Sequence, residues 1–316
     1  MPASSVRARS LDLDAEVEIP ADGSADPASL LPAWGRYVAG VVRELAAAGR
    51  PPAGLHAVLA SDVPLGSGLS SSAALEISCA VALAEIADWH PGAHVLAEAC
   101  RMAEETATGV PCGIMDQLVS LVGRDGEAVL IDCRSLELRP VPLPDRLAVL
   151  VVHSGIARSL DASGYAERRR ACEALARRLG LEALRDATPE QVADEPLGRH
   201  VVSENARVLK AEQALGQGDL EALGQIFDAS HVSLAEDFRV STPDLDLLVD
   251  ILVDAGAFGA RLTGAGFGGC VAAACDVETV DRVTREATTR YRERTRLEPT
   301  AFVCRPVDGA GPFDPT

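Results

Sequence analysis

The 316-residue chain is most easily placed by what it does not contain. No uncharged apolar run reaches the roughly 18 residues of a membrane span, so none is expected. No apolar core follows the basic residues of the opening segment, MPASSVRARSLDLDAEVEI, so it does not read as a signal peptide. None of the eight cysteines (Cys79, Cys100, Cys112, Cys133, Cys172, Cys270, Cys275, Cys304) forms a CxxC pair, and several sit inside apolar runs. That favours buried, reduced thiols and a cytoplasmic protein over a disulfide framework. His90 and His94 flank Pro91-Gly92 and so cannot share a helical face, which removes a zinc reading. Basic residues are few: 29 Lys and Arg stand against 47 Asp and Glu, for a net charge of −18. A protein that grips nucleic acid or an anionic membrane needs a basic face, so neither partner is expected. Any anionic substrate must be held by a local device. There is no GK[ST] of a Walker loop, no GxGxxG with a downstream ribose acid, and no GxSxG elbow to support a hydrolase reading of His153 and Ser154. Repeats and low-complexity tracts are also missing.

What is present reads as an ordinary globular chain, 47% hydrophobic and 24% charged, long enough for one large domain or two. Alternation predicts a strand over 6–19, and helical spacing of Leu31, Trp34, Val38, Val41, Val42 and Leu45 predicts a helix over 30–48. A strand at 55–60, helices at about 69–87 and 93–107, and a hairpin at 127–132 and 136–141 follow. Proline-rich 140–145 is the expected domain boundary, giving domains 1–145 and 146–316. Beyond it come a strand at 147–152, helices from 164 to 254, strands at 258–263 and 270–275, a helix at 277–293 and a strand at 299–304. Strands and helices mix without regular βαβ alternation, so the fold class is α+β.

Two glycine loops carry chemistry. In Pro64-Leu65-Gly66-Ser67-Gly68-Leu69-Ser70-Ser71-Ser72 the glycines allow close backbone approach and the serines cap the helix behind. Free amides at that helix start, with the helix dipole, favour an anion. A plain capping turn has the same composition. The second loop, Thr263-Gly264-Ala265-Gly266-Phe267-Gly268-Gly269, lies between two strands and equally suits a tight hairpin. Asp116 is flanked by Ile114, Met115 and Leu118, where a carboxylate needs a partner or a purpose. Arg168 to Arg170 read as the solvated face of a helix, with Glu167 and Glu173 nearby.

Pro64 to Ala74 and Leu262 to Cys270 resemble the two glycine motifs of the GHMP kinase superfamily. Pro111-Cys112-Gly113-Ile114-Met115-Asp116-Gln117 is similar to the catalytic segment of its galactokinase branch. Trp34-x-x-Tyr37-x-x-Gly40, Asp132 to Leu136, Tyr165 to Glu173, Arg199 to Asn205 and Ser230 to Leu234 follow in that branch's order. The resemblance implies a two-domain fold, with a ribosomal protein S5-like N-terminal domain and a ferredoxin-like C-terminal one. It implies phosphorylation of a small sugar, galactose first, by ATP with Mg2+, in a protein monomeric by default. Asp116 would be the base, Gly113, Asp116 and Tyr165 would meet the sugar, and Ser72 and Glu104 would hold Mg2+. Gly66, Ser67, Gly68, Leu69, Ser70, Ser71 and Ser72 would meet ATP, with Gly264 and Gly266 in support. Arabinose, galacturonate or an N-acetylated sugar remains open as the substrate.

The family's first motif, an arginine followed by a Glu-His-Thr-Asp run, has no counterpart in this chain. The expectation is a chain that starts after that motif, naturally or through a misplaced start, with its first strand at a sheet edge. A non-catalytic sugar or nucleotide sensor on the same fold is the competing reading.

Overall fold

The computed structural model describes residues 5–64, 68–156 and 162–312. Its N-terminal half starts with a hairpin, β1 (Ser5–Ser10) and β2 (Ala15–Pro20). The single strand expected over 6–19 is therefore two. The apolar–polar alternation runs on through Leu11 to Asp14, so periodicity alone hides the turn. What breaks the strand is local bonding: Leu13 N donates to Ser10 Oγ at 3.2 Å, and Asp14 takes a left-handed φ of 43°. β3 (Leu55–Leu59) pairs parallel with β1, so the first strand is central in the order β2-β1-β3 and not an edge.

One face of this sheet buries Val6, Ala8, Val17 and Ile19 against three helices, α1 (Gly35–Ala47), α2 (Ser71–Ile86) and α3 (Ala93–Thr108). Helix α1 starts five residues later than its apolar spacing suggests. Pro32 disfavours helical geometry at Leu31, and a 3-10 turn, Pro27–Ser29, occupies the approach. Gly40 sits where α1 meets α3: a Cβ there would lie 2.9 Å from the backbone of Ala103, so only glycine allows this approach. A fourth helix, α4 (Met115–Val122), carries Asp116 in its first turn. It was not among the expected elements, because eight residues are too few for a helical period to declare itself.

The hairpin β4 (Glu127–Ile131) and β5 (Leu138–Pro142) forms a two-stranded sheet of its own. Ion pairs fasten it to the C-terminal half. Arg185 reaches both oxygens of Asp132 at 2.8 Å, Arg134 pairs with Asp186, and Arg139 pairs with Glu212.

The C-terminal half holds a four-stranded antiparallel sheet of β6 (Leu147–His153), β7 (Gly259–Thr263), β8 (Cys270–Asp276) and β9 (Thr300–Cys304), in the order β7-β8-β6-β9. Helices α5 (Ala162–Arg178), α6 (Pro196–Gln217), α7 (Leu220–Glu236) and α8 (Pro243–Asp254) link β6 to β7, and α9 (Val280–Thr295) links β8 to β9. This is the ferredoxin-like arrangement. Its core gathers Leu150, Val152, Leu245, Leu248, Ile251, Leu252, Leu262 and Tyr291, separate from the N-terminal core.

After β9 the chain returns to the N-terminal half. Gly309 N donates to Gly123 O at 2.9 Å, Ala310 N to Ser120 O at 2.7 Å, and Asp125 N to Asp308 Oδ1 at 3.1 Å. The last residues of the C-terminal half thus clamp the end of α4. Among the described residues no helix is long and apolar enough to cross a membrane.

Candidate functional site

Helix α2 begins abruptly. Gly68 and Ser70 both take left-handed backbone angles, φ 80° and 57°, and the helix starts at Ser71. No side chain caps it. The expectation that its serines cap the helix fails at Ser70, whose hydroxyl instead donates to Oδ2 of Asp116. The first amides of a helix have no intrahelical acceptor, so an uncapped start keeps an anion site available. Gly66 and Ser67 lie outside the described residues; Gly68, Leu69, Ser70 and Ser71 are all partly exposed at this start.

Two turns of contact follow. Ser72 Oγ donates to Glu104 Oε1 at 2.7 Å, and Gln117 Nε2 donates to Glu104 Oε2 at 2.8 Å. The same Gln117 nitrogen lies 3.2 Å from Glu76 Oε2, deeper in the core. Helices α2, α3 and α4 therefore meet through one polar chain, Ser72–Glu104–Gln117–Glu76. The loop between α3 and α4 is held by Glu105, which accepts from Arg101 at 2.6 Å and from Cys112 N at 3.2 Å. Gly113 lies on that loop with open space around it: a Cβ added there would meet nothing within 4 Å.

Glu76 is fully buried, and burial pushes its carboxyl up to about 9, with the charge of Glu104 adding to the shift and the Gln117 hydrogen bond opposing it. It is neutral at pH 7. Burial also raises the Tyr37 hydroxyl, with Glu104 and Glu76 contributing, and pushes the Cys79 and Cys112 thiols up to about 12. No thiolate forms here at neutral pH. The fit of a divalent cation rests on the donors: Ser72 and Glu104 present oxygens 2.7 Å apart, and Mg2+ takes one or two protein oxygens when phosphate and water complete its shell. Among the described residues no group of three His, Cys, Asp or Glu forms an all-protein cage.

The second glycine loop is built by left-handed residues: Gly264, Gly266, Phe267, Gly268 and Gly269 all have positive φ. Its described contacts lie in the C-terminal half. Phe267 N donates to Val240 O at 2.8 Å and Gly269 N to Ile156 O at 3.2 Å, while the Phe267 ring rests on Gly164 at the start of α5. Gly266 packs against Val240, where an added Cβ would lie 2.3 Å from the carbonyl oxygen. Tyr165 lies in α5, and its side chain falls outside the described residues.

The basic run of α5 is absorbed locally, Arg169 by Glu173 at 3.1 Å, Arg170 by Ala166 O, and Arg168 by Arg239 O. At the end of β6, His153 accepts from Gly155 N and Ser154 Oγ from Ile156 N, so these two side chains form no dyad. The sequence pattern places Ser72 and Glu104 on helices but not Asp116, whose helix α4 it does not show, and it assigns nothing to Glu76 or Gln117. The available signal was an acid at position 76, one turn beyond Ser72 in the apolar middle of the helix.

The sequence matches the family descriptions "GHMP kinases N terminal domain" over residues 36–124 and "GHMP kinases C terminal" over residues 211–293. It is 44% identical over 294 residues to the galactokinase of Roseiflexus sp. (strain RS-1), covering 88% of this chain and 75% of that one. The Bos taurus galactokinase is 42% identical over 290 residues, with 88% and 72% covered. The crystal structure of Lactococcus lactis galactokinase complexed with galactose superposes with a TM-score of 0.88 at 28% identity, over 97% of this chain and 83% of that one.

Proposed function

The chain belongs to the GHMP kinase family, and from that premise we propose that it transfers the γ-phosphoryl group of ATP to galactose, giving galactose 1-phosphate and ADP. The observation that carries this reading is the convergence of Ser70 with Asp116 and of Ser72 with Glu104 at the uncapped start of α2. A phosphate end, a cation site and a carboxylate base then lie within one cluster.

Phosphoryl transfer needs positioning and neutralisation of charge more than covalent chemistry. Residues 66–72 and the amides of α2 hold the nucleotide phosphates, and Gly264 and Gly266 support that site from the C-terminal half. Asp116 accepts the proton of the sugar hydroxyl, and the Ser70 hydroxyl fixes which oxygen of Asp116 faces it. Gly113 lets a sugar hydroxyl approach the backbone, and Tyr165 contributes a sugar contact. Bound at Ser72 and Glu104, Mg2+ supplies neutralisation of phosphate charge. With a net charge of −18 the chain offers no overall positive field for that purpose, so backbone amides and a cation suit it.

The test is ADP release by the purified 316-residue protein with ATP, Mg2+ and galactose. Release that depends on all three supports the reading. Release with arabinose, galacturonate or an N-acetylated sugar but not galactose moves the substrate. Nucleotide and sugar binding with no ADP from any sugar supports the sensor reading instead.

A further inference from the structure

Gln117 follows the proposed base in sequence, yet its side chain is buried and its amide nitrogen serves two carboxyl groups at once, Glu104 at 2.8 Å and Glu76 at 3.2 Å. Packing does not explain the arrangement. Among the described residues, Gln117 Oε1 and Glu76 Oε1 are buried without hydrogen-bond partners, a penalty that apolar residues of similar size would avoid. Neighbouring Glu105 shows the alternative: it takes an arginine, whereas Glu104 takes a serine and a glutamine. An amide can hold a carboxylate without adding the positive charge that would compete with a cation.

We propose that Gln117 and Glu76 are positioning residues for Glu104: Gln117 occupies Oε2 of Glu104 so that Oε1, beside Ser72 Oγ, is the oxygen offered to a divalent cation, and Glu76 keeps the Gln117 amide in place. The proposal rests on the reading of Ser72 and Glu104 as cation donors. Without the amide, Glu104 is free to rotate and must be ordered when the cation arrives. Losing a group that orients a metal ligand typically weakens metal affinity by about 10- to 100-fold.

The readout is ADP affinity by isothermal titration, with Mg2+ and with EDTA, and the ratio of the two as the measure of cation coupling. Gln117→Leu is expected to reduce that ratio by about tenfold or more while the Mg2+-free affinity stays within about twofold. Glu76→Leu is expected to reduce it in the same direction, and Glu76→Gln, which keeps an acceptor oxygen, to leave it within about twofold. If Gln117→Leu shows no cooperative melting, the Glu76→Leu and Glu76→Gln pair decides. An unchanged ratio in the leucine variants, or an equal loss with and without Mg2+, overturns the proposal. Glu104→Gln separates the two levels: a ratio unmoved by that change refutes Glu104 as a cation donor, whereas a ratio lost there but kept in Gln117→Leu refutes only the positioning role.

Discussion

Ser72 and Glu104 stand 32 residues apart in sequence, and the Ser72 hydroxyl donates to Oε1 of Glu104 at 2.7 Å. The bond joins the first turn of α2 to the C-terminal half of α3. If this pair holds Mg2+, Ser72→Ala leaves one protein oxygen where there were two. The free Mg2+ needed for half-maximal rate is expected to rise by about tenfold, with galactose KM little changed. A Mg2+ titration of initial rates checks it, and equal weakening of galactose and Mg2+ would point to a general distortion.

Asp116→Asn keeps the shape of the side chain and its place at the start of α4 but removes the base. Turnover is expected to fall by about 10²- to 10⁴-fold, with ATP affinity nearly unchanged. Ser70→Ala, which frees the Asp116 carboxylate, is expected to lower turnover by less than Asp116→Asn does. Steady-state kinetics beside nucleotide titration separates the two.

Glu76 makes stability depend on pH. The group ionises near 4.5 when unfolded and near 9 in the fold, so between those values the native state holds a proton that the unfolded chain has lost. Stability therefore falls as pH rises through that window, by at most about 1.4 kcal/mol per unit. Glu76→Gln removes this dependence. Its melting temperature is expected to exceed wild type at pH 8 and to match it at pH 4, which calorimetry at the two pH values tests.

The segment after β9 fixes the end of the helix that carries Asp116. A Cβ at Gly309 would lie 2.3 Å from Leu121 O, inside α4. Gly309→Val must therefore push the segment away from α4 and loosen its hydrogen bonds to Ser120 and Gly123. The expected cost is about 1–3 kcal/mol of stability, with a drop in kcat as α4 is released. Melting and kinetics on the same preparation check it; full stability with unchanged kcat would show that the clamp is dispensable.

Much of the fold is readable in the sequence because its elements carry strong patterns. Buried strands such as Leu147 to His153, and the long helices α2, α3 and α9, have apolar runs or helical periods that turns interrupt visibly. The hairpin of β1 and β2 is hidden because Leu11 and Leu13 continue the alternation while being more than 40% exposed in the turn. Helix α4 is hidden by its shortness. At the candidate site, residue types and motif order point to Ser72, Glu104 and Asp116. What the linear order does not contain is tertiary: that Ser70 turns from its helix to Asp116, and that Gln117 reaches Glu76, 41 residues away.

Phosphorylation of galactose with Asp116 as base is open to one direct check. The most direct measurement is phosphorus NMR of the purified protein with ATP, Mg2+ and galactose, run beside Asp116→Asn. A galactose 1-phosphate signal is expected to grow in step with ADP for the wild type and to be nearly absent for the variant. No sugar phosphate from the wild type, or equal product from both, would contradict it.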